Sequence, residues 1–138
     1  MIQLTAMLYI SSASPSLSDE DLYDILKVSR INNERANITG VLCSGGGYFI
    51  QIMEGPQKEM LQGYLRILDD PRHHDCLLIG LVPIKERKFK DWSMGHINAS
   101  SENMKKRRQE LISYWNNKEK GEELVSLMSR LVRQLREN

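Results

Sequence analysis

Gln51 is an amide set among Phe49, Ile50, Ile52 and Met53 in a segment, Tyr48 to Pro56, that reads as a buried strand. An amide side chain offers two donor hydrogens and two acceptor lone pairs. Left unpaired in a core it costs roughly 1–3 kcal/mol, so its presence predicts a polar partner. Side chains alternate along a strand, which puts Phe49, Gln51 and Met53 on one face. Tyr9 lies near the end of another run, Ile2–Ser11, apolar on both alternating faces like a covered central strand. Tyr9 and Gln51 are therefore expected side by side on neighbouring central strands. Asn32 and Asn33 fall where a helix is expected to end, and Trp92 and Met94 are expected to point the same way from a short late strand. Taken singly, these are an ordinary core tyrosine, a glutamine bonded to backbone and an asparagine cap. Together they describe a pocket between two helices, floored by a phenol and an amide and rimmed by asparagine. Such a pocket suits a flat heterocycle with carbonyl and ring-nitrogen acceptors.

The elements that would position these residues follow from punctuation and period. Ser18 is a good N-cap, with Asp19, Glu20 and Asp21 in the first helical turn. Leu22, Ile25, Leu26 and Ser29 share a stripe of that helix, which is expected to stop near Asn32-Asn33. Ile38–Ser44 reads as a second strand, Gly45-Gly46-Gly47 as a hairpin turn and Tyr48–Glu54 as a third strand. Gly55-Pro56 is expected to break that strand and open a helix with Met60, Leu61, Tyr64, Leu65 and Leu68 on its apolar side. Asp70-Pro71 should end it. Cys76–Ile84 and Trp92–Ile97 complete the strands. The order is βαββαβ with an added strand, an α+β ferredoxin-like sandwich with two helices on one sheet face.

Residues 1–98 are expected to form this domain and residues 99–138 a C-terminal helical extension. Its helices read as Glu102–Asn117 and Glu122–Glu137, joined at Gly121. In the second, Leu124, Met128, Leu131 and Leu135 recur at four- and three-residue steps. Such a seam wants a partner surface: either the free sheet face or a second subunit.

With 138 residues and a net charge of +1, the chain fits one domain with a short appendage. Its charge balance gives no general case for nucleic acid or an anionic membrane. No segment approaches the roughly 20 apolar residues of a membrane span. The N-terminus lacks the basic leader of a signal peptide. Cys43 and Cys76 read as reduced thiols. The expectation is a cytoplasmic protein. His73-His74 has no third ligand near and suits a helix C-terminus better than a metal. Lys105-Lys106-Arg107-Arg108, diluted by Glu102, Glu110 and Glu119, reads as a solvated helix face.

Six stretches carry a resemblance: Leu8-Tyr9-Ile10-Ser11-Ser12-Ala13, Ser29-Arg30-Ile31-Asn32-Asn33, Asn37-Ile38-Thr39-Gly40-Val41-Leu42, Phe49-Ile50-Gln51-Ile52-Met53-Glu54-Gly55, Asp70-Pro71-Arg72-His73-His74 and Phe89-Lys90-Asp91-Trp92-Ser93-Met94. In that order and spacing the chain resembles the BLUF domains, blue-light sensors that use flavin, across about residues 2–98. The resemblance implies non-covalently bound FAD, or FMN less selectively, with the ring edge-on between the two helices. It makes Tyr9 the redox-active tyrosine and Gln51 the switching glutamine. It makes Asn33, with Asn32 beside it, the holder of the flavin carbonyl and ring nitrogen. Ser29 matches a serine near the glutamine, and Trp92 and Met94 match the pair proposed to exchange places. Ile25, Ile38 and Ile67 are expected as apolar ring contacts. Arg30, Arg35, Lys58 and Arg66 are all candidates for the FAD phosphates, and the sequence does not choose among them.

The function expected on this resemblance is a photoreceptor, not an enzyme, that signals through protein contacts, as a homo-oligomer or to a separate downstream protein. Two other classes compete. A flavin-dependent oxidoreductase would need a substrate-binding group, and none stands out. A cofactor-free ferredoxin-like binding module for RNA would expose aromatics on its central strands, where this chain carries aliphatic residues.

Overall fold

The computed structural model describes residues 3–117 and 123–137. The elements are β1 (Leu4–Ala13), α1 (Asp19–Ala36), β2 (Thr39–Gly45), β3 (Tyr48–Pro56), α2 (Gln57–Leu68), β4 (His73–Pro83), β5 (Gly95–Asn98), α3 (Ser101–Asn116) and α4 (Leu124–Arg136). The strands form one sheet in the order β4-β1-β3-β2-β5. All neighbours are antiparallel except β2 and β5, which run parallel. This is the expected α+β arrangement with its extra strand.

Local chemistry sets the punctuation. The Ser18 hydroxyl accepts from the Asp21 amide, and the Asp21 carboxylate accepts from the Ser18 amide, a reciprocal cap on α1. At the β2–β3 hairpin Gly46 and Gly47 have φ of 61° and 84°. A two-residue turn with positive φ at both positions matches the twist of its strands, and glycine adopts it without penalty.

Several boundaries differ from the sequence reading. Ile2 and Gly121 lie outside the described residues. α1 does not stop at Asn32-Asn33; it continues to Ala36 and ends on Asn37, which takes the left-handed conformation at φ 59°. Asn33 is bonded elsewhere and does not compete for its own helix backbone. β3 runs through Gly55 and Pro56, which still pair with Thr5 and Leu4. β4 starts at His73, because a bulge opposite Ser11 absorbs Asp75 at φ 53°. β5 starts at Gly95, not Trp92, since side chains of α1 take the carbonyls of Ser93 and Met94.

The sheet separates two cores. On one face Met7, Tyr9, Leu42, Phe49, Met53 and Met94 pack under α1 and α2 with Leu26, Ile38 and Met60. On the other, Leu8, Ile10, Val41, Ile50 and Ile52 pack under α3 and α4. The seam of Leu124, Met128, Leu131 and Leu135 is buried there, with Leu111 and Met104 of α3. Of the two surfaces the seam was expected to meet, it meets the sheet of its own chain. The basic run of α3 is not a uniformly solvated face: Arg107 is buried and bonds Glu110, and Arg108 lies over the Tyr48 ring at 4.8 Å.

Candidate functional site

β1 and β3 place Tyr9 directly opposite Gln51. Both are buried, at 3% and 4% exposure. The Tyr9 hydroxyl donates to Oε1 of Gln51. The other end of the amide, Nε2, donates to the Met94 sulfur at 3.3 Å. A thioether is a weak acceptor, so one end of the amide is well satisfied and the other is not. Burial, and then the negative charge of Cys76, Tyr64 and Asp70, raises the Tyr9 phenol well above its ordinary 10.0. The phenol is therefore held neutral and serves as a donor. The Tyr64 ring lies beside it, 5.3 Å between centroids.

Above this pair a cavity of about 290 Å³ opens between α1 and α2. Tyr9 and Gln51 line it from the sheet, with Ile38. Ile25, Ser29, Asn32 and Asn33 line it from α1, and Ile67 from α2. The asparagine expected as a ring holder, Asn33, donates through Nδ2 to the Ser93 carbonyl at 2.6 Å. Among the described residues its Oδ1 has no partner. Arg30 adds a second tie, from Nε to the Met94 carbonyl at 2.9 Å. α1 thus grips the segment that carries Met94.

Trp92 does not join these residues. It was expected to point the same way as Met94, but it packs on the α3/α4 side of the sheet. There its ring meets Phe89 at 5.6 Å and the Arg136 guanidinium at 4.8 Å. The two residues precede β5 in a turn, where strict alternation does not hold. That turn is fixed from below by Glu54. Its buried carboxylate accepts from the backbone amides of Lys88 and Phe89 at 2.8–3.0 Å.

Other lining residues were not singled out from sequence. Phe49 and Leu42 extend the floor, and Gly63 opens the α2 wall. A methyl at Gly63 would meet nothing nearer than Arg66 at 3.8 Å and Ile38 at 3.9 Å. Protein packing therefore does not demand glycine, which costs a helix interior about 1 kcal/mol; a glycine in the middle of α2 was the available signal. His73 closes the far end. Its Nε2–H donates to the Ile67 carbonyl at the end of α2, at 2.6 Å, which leaves Nδ1 to accept from Ser11 at 2.9 Å. The Asp70 carboxyl, held low chiefly by its hydrogen bonds from Arg72, stands beside it. Among the described residues no cluster of His, Cys, Asp or Glu suits a metal.

The donor set and the shape fit a flavin ring. The walls are apolar, the floor carries a turnable amide, and Asn33 presents an unpaired acceptor. The volume, about 290 Å³, falls just short of the roughly 300–1,000 Å³ of ligand pockets. Cys43 and Cys76 are free thiols, and among the described residues no helix is long and apolar enough to cross a membrane.

Comparison with known proteins agrees with this geometry. The family model described as "BLUF: Sensors of blue-light using FAD" matches residues 4–95. The photoactivated adenylate cyclase subunit beta of Euglena longa is 38% identical over 92 residues, 66% of this chain. The match spans only 11% of that protein. Among solved structures, the dark state of BlrB, a BLUF protein, superposes with a TM-score of 0.73 at 31% identity, covering 96% of each chain. Klebsiella pneumoniae BlrP1, solved with FMN and cyclic diGMP, gives a TM-score of 0.65 at 27% identity. That likeness covers 69% of this chain and 26% of BlrP1.

Proposed function

Since this chain belongs to the BLUF family of blue-light sensors using FAD, we propose that it is a blue-light receptor holding FAD non-covalently between α1 and α2, and that it reports illumination by rearranging the hydrogen bonds of Gln51. One observation carries the reading: the Gln51 amide lies on the cavity floor with its acceptor end on the Tyr9 phenol and its donor end on a weak sulfur acceptor.

Bound flavin supplies absorption of blue light and an excited state able to oxidise a phenol. Tyr9, held neutral in darkness, is the residue that would give an electron and then its proton to that excited state, and both would return to it as the ring relaxes, leaving no net oxidation. The bond from the Tyr9 hydroxyl to Gln51 would be the path for that proton. The amide has a donor end and an acceptor end, and turning it or shifting its proton exchanges what it offers to Tyr9 and to the cavity. The bond to Met94 is then lost. Because Asn33 and Arg30 tie the Met94 segment to α1, a change at Met94 is passed to the backbone before β5. From there it reaches Trp92 and, through Arg136, α4. The energy at stake is one or two hydrogen bonds, ~1–3 kcal/mol, which is the usual scale of allosteric coupling. A two-ended amide of this kind is the bistable element a switch requires. The output is a protein contact with an effector, and no enzymatic activity is assigned to this chain. Ser29 lines the same cavity as the Gln51 amide.

The test is colour. Purified protein should be yellow, and blue light should shift its flavin bands slightly red, with recovery in darkness and no bleaching. Gln51→Leu should keep flavin and lose the shift, and Tyr9→Phe should lose the normal photocycle. Normal cycling in both variants would remove the pair from the mechanism, and bleaching with an added substrate would favour an oxidoreductase.

A further inference from the structure

α2 carries more apolar surface than its core covers. Met60, Tyr64 and Ile67 pack into the core beneath the two helices. Leu61, Leu65 and Leu68 do not: they are 40%, 66% and 45% exposed. Spaced by four and three residues, they form one stripe along the helix. Glu59, Gln62, Gly63 and Arg66 line the spaces that α2 shares with α1. At about 100° per residue, the leucine stripe then lies on the side turned away from α1. α2 lies over β1 and β3, and its last turn is bonded to His73 at the start of β4. The stripe therefore overlooks β4, which has a neighbour on one side only. There Leu78 and Leu81, opposite Tyr9 and Met7, add half-buried apolar surface on the same face of the sheet. Large apolar patches on a soluble chain mark interaction sites.

The charges beside the stripe say what covers it. A helix carries partial positive charge at its N-terminus and partial negative charge at its C-terminus. On the α1 side of α2 the side chains suit that dipole, with Glu59 in the first turn and Arg66 in the last. Beside the leucines the order is reversed: Lys58 stands in the first turn and Asp69 at the C-cap. Both are exposed, and among the described residues neither enters an ion pair. Each opposes the dipole of its own helix. A second α2 laid antiparallel across the stripe corrects both, because it sets Lys58 of one copy beside Asp69 of the other. The same rotation brings leucine onto leucine. A surface complementary to itself under a two-fold rotation is what an isologous contact requires. The leucine seam of α4 is already filled by its own sheet.

We infer that α2 and the edge of β4 form a two-fold contact between two copies of this chain, with the two α2 helices antiparallel and Leu61 and Leu65 of each copy meeting at the centre. The inference goes beyond the flavin reading and does not depend on it. The contact is small beside those of stable complexes, so association is weak and depends on concentration.

The test is sedimentation velocity of the full chain in darkness, from about 1 μM to about 1 mM. The mass should rise from one chain toward two across that range. Leu65→Glu should raise the dimer dissociation constant at least about tenfold. Its urea midpoint at low concentration should hold, because the side chain is exposed. Lys58→Glu and Asp69→Lys should each weaken association by setting like charges together. The double reversal should recover it, which an occupant other than a second copy would not produce. A chain that stays single throughout, a dimer that Leu65→Glu leaves unchanged, or a double reversal no tighter than the single ones overturns the contact.

Discussion

Met94 and Trp92 lie on opposite faces of the sheet. The Met94 sulfur accepts from Gln51 under α1, whereas the Trp92 indole lies beneath the Arg136 guanidinium of α4. The chain crosses from one face to the other within the turn before β5. Gly95 permits the crossing, because a Cβ there would stand 2.5 Å from the indole.

Gly95→Ala should therefore push the Trp92 ring from its seat. The expected cost is about 1–3 kcal/mol of strain, plus a cation–π contact of ~0.5–1 kcal/mol. In a Trp115→Phe background, Trp92 emission should move to longer wavelength and the urea midpoint should fall. Unchanged emission would mean that the indole does not rest on Gly95.

High pH should unfold the protein through its buried acids. Burial pushes the Cys43 thiol from 9.0 up to about 12, and burial raises Tyr9 well above 10.0. In both cases the unfolded chain loses its proton first. The stabilisation is complete below the unfolded values and disappears as pH climbs through the folded ones. The urea midpoint should hold steady up to pH 9.0 and decline from there toward about 12. Cys43→Ala should flatten part of that decline. An equally steep decline in the variant would show that Cys43 takes no part in it.

Gly63 should trade helix stability against ligand room. Gly63→Ala fits beside Arg66 and Ile38 and should stabilise flavin-free protein by about 1 kcal/mol. Gly63→Leu extends into the cavity and should weaken flavin binding by an order of magnitude or more, on the order of 1.4 kcal/mol or above. If the leucine variant binds flavin as the glycine form does, the ring lies elsewhere.

Leu131 is 2% exposed against the sheet, so Leu131→Asp should lower the unfolding free energy by at least about 3 kcal/mol. The loss should be independent of protein concentration, as befits a seam filled within one chain. A loss seen only through altered association would place Leu131 between subunits instead.

Much of the floor of the site was legible in sequence because it depends on local period. Alternation put Tyr9 on the same face as Met7, and Gln51 on the same face as Phe49 and Met53; the glycine turn fixed the register of β3 on β2. The β1–β3 pairing then set phenol against amide. The Ser18 cap and the leucine spacing of α4 were equally local. Other features depend on segments far apart in the chain. Asn33 stays helical because it bonds Ser93, 60 residues away. Glu54 is tolerated in a core because distant loop amides surround it. Trp92 left the face expected of it because a turn obeys no period, and its direction is set by what covers it. The order of elements and the sharing of faces among central side chains are local properties, since φ/ψ preference and side-chain alternation act between near neighbours. Which polar groups find partners, and which stay open toward the cavity, is settled by the folded chain, since that depends on what distant segments bring to the same place.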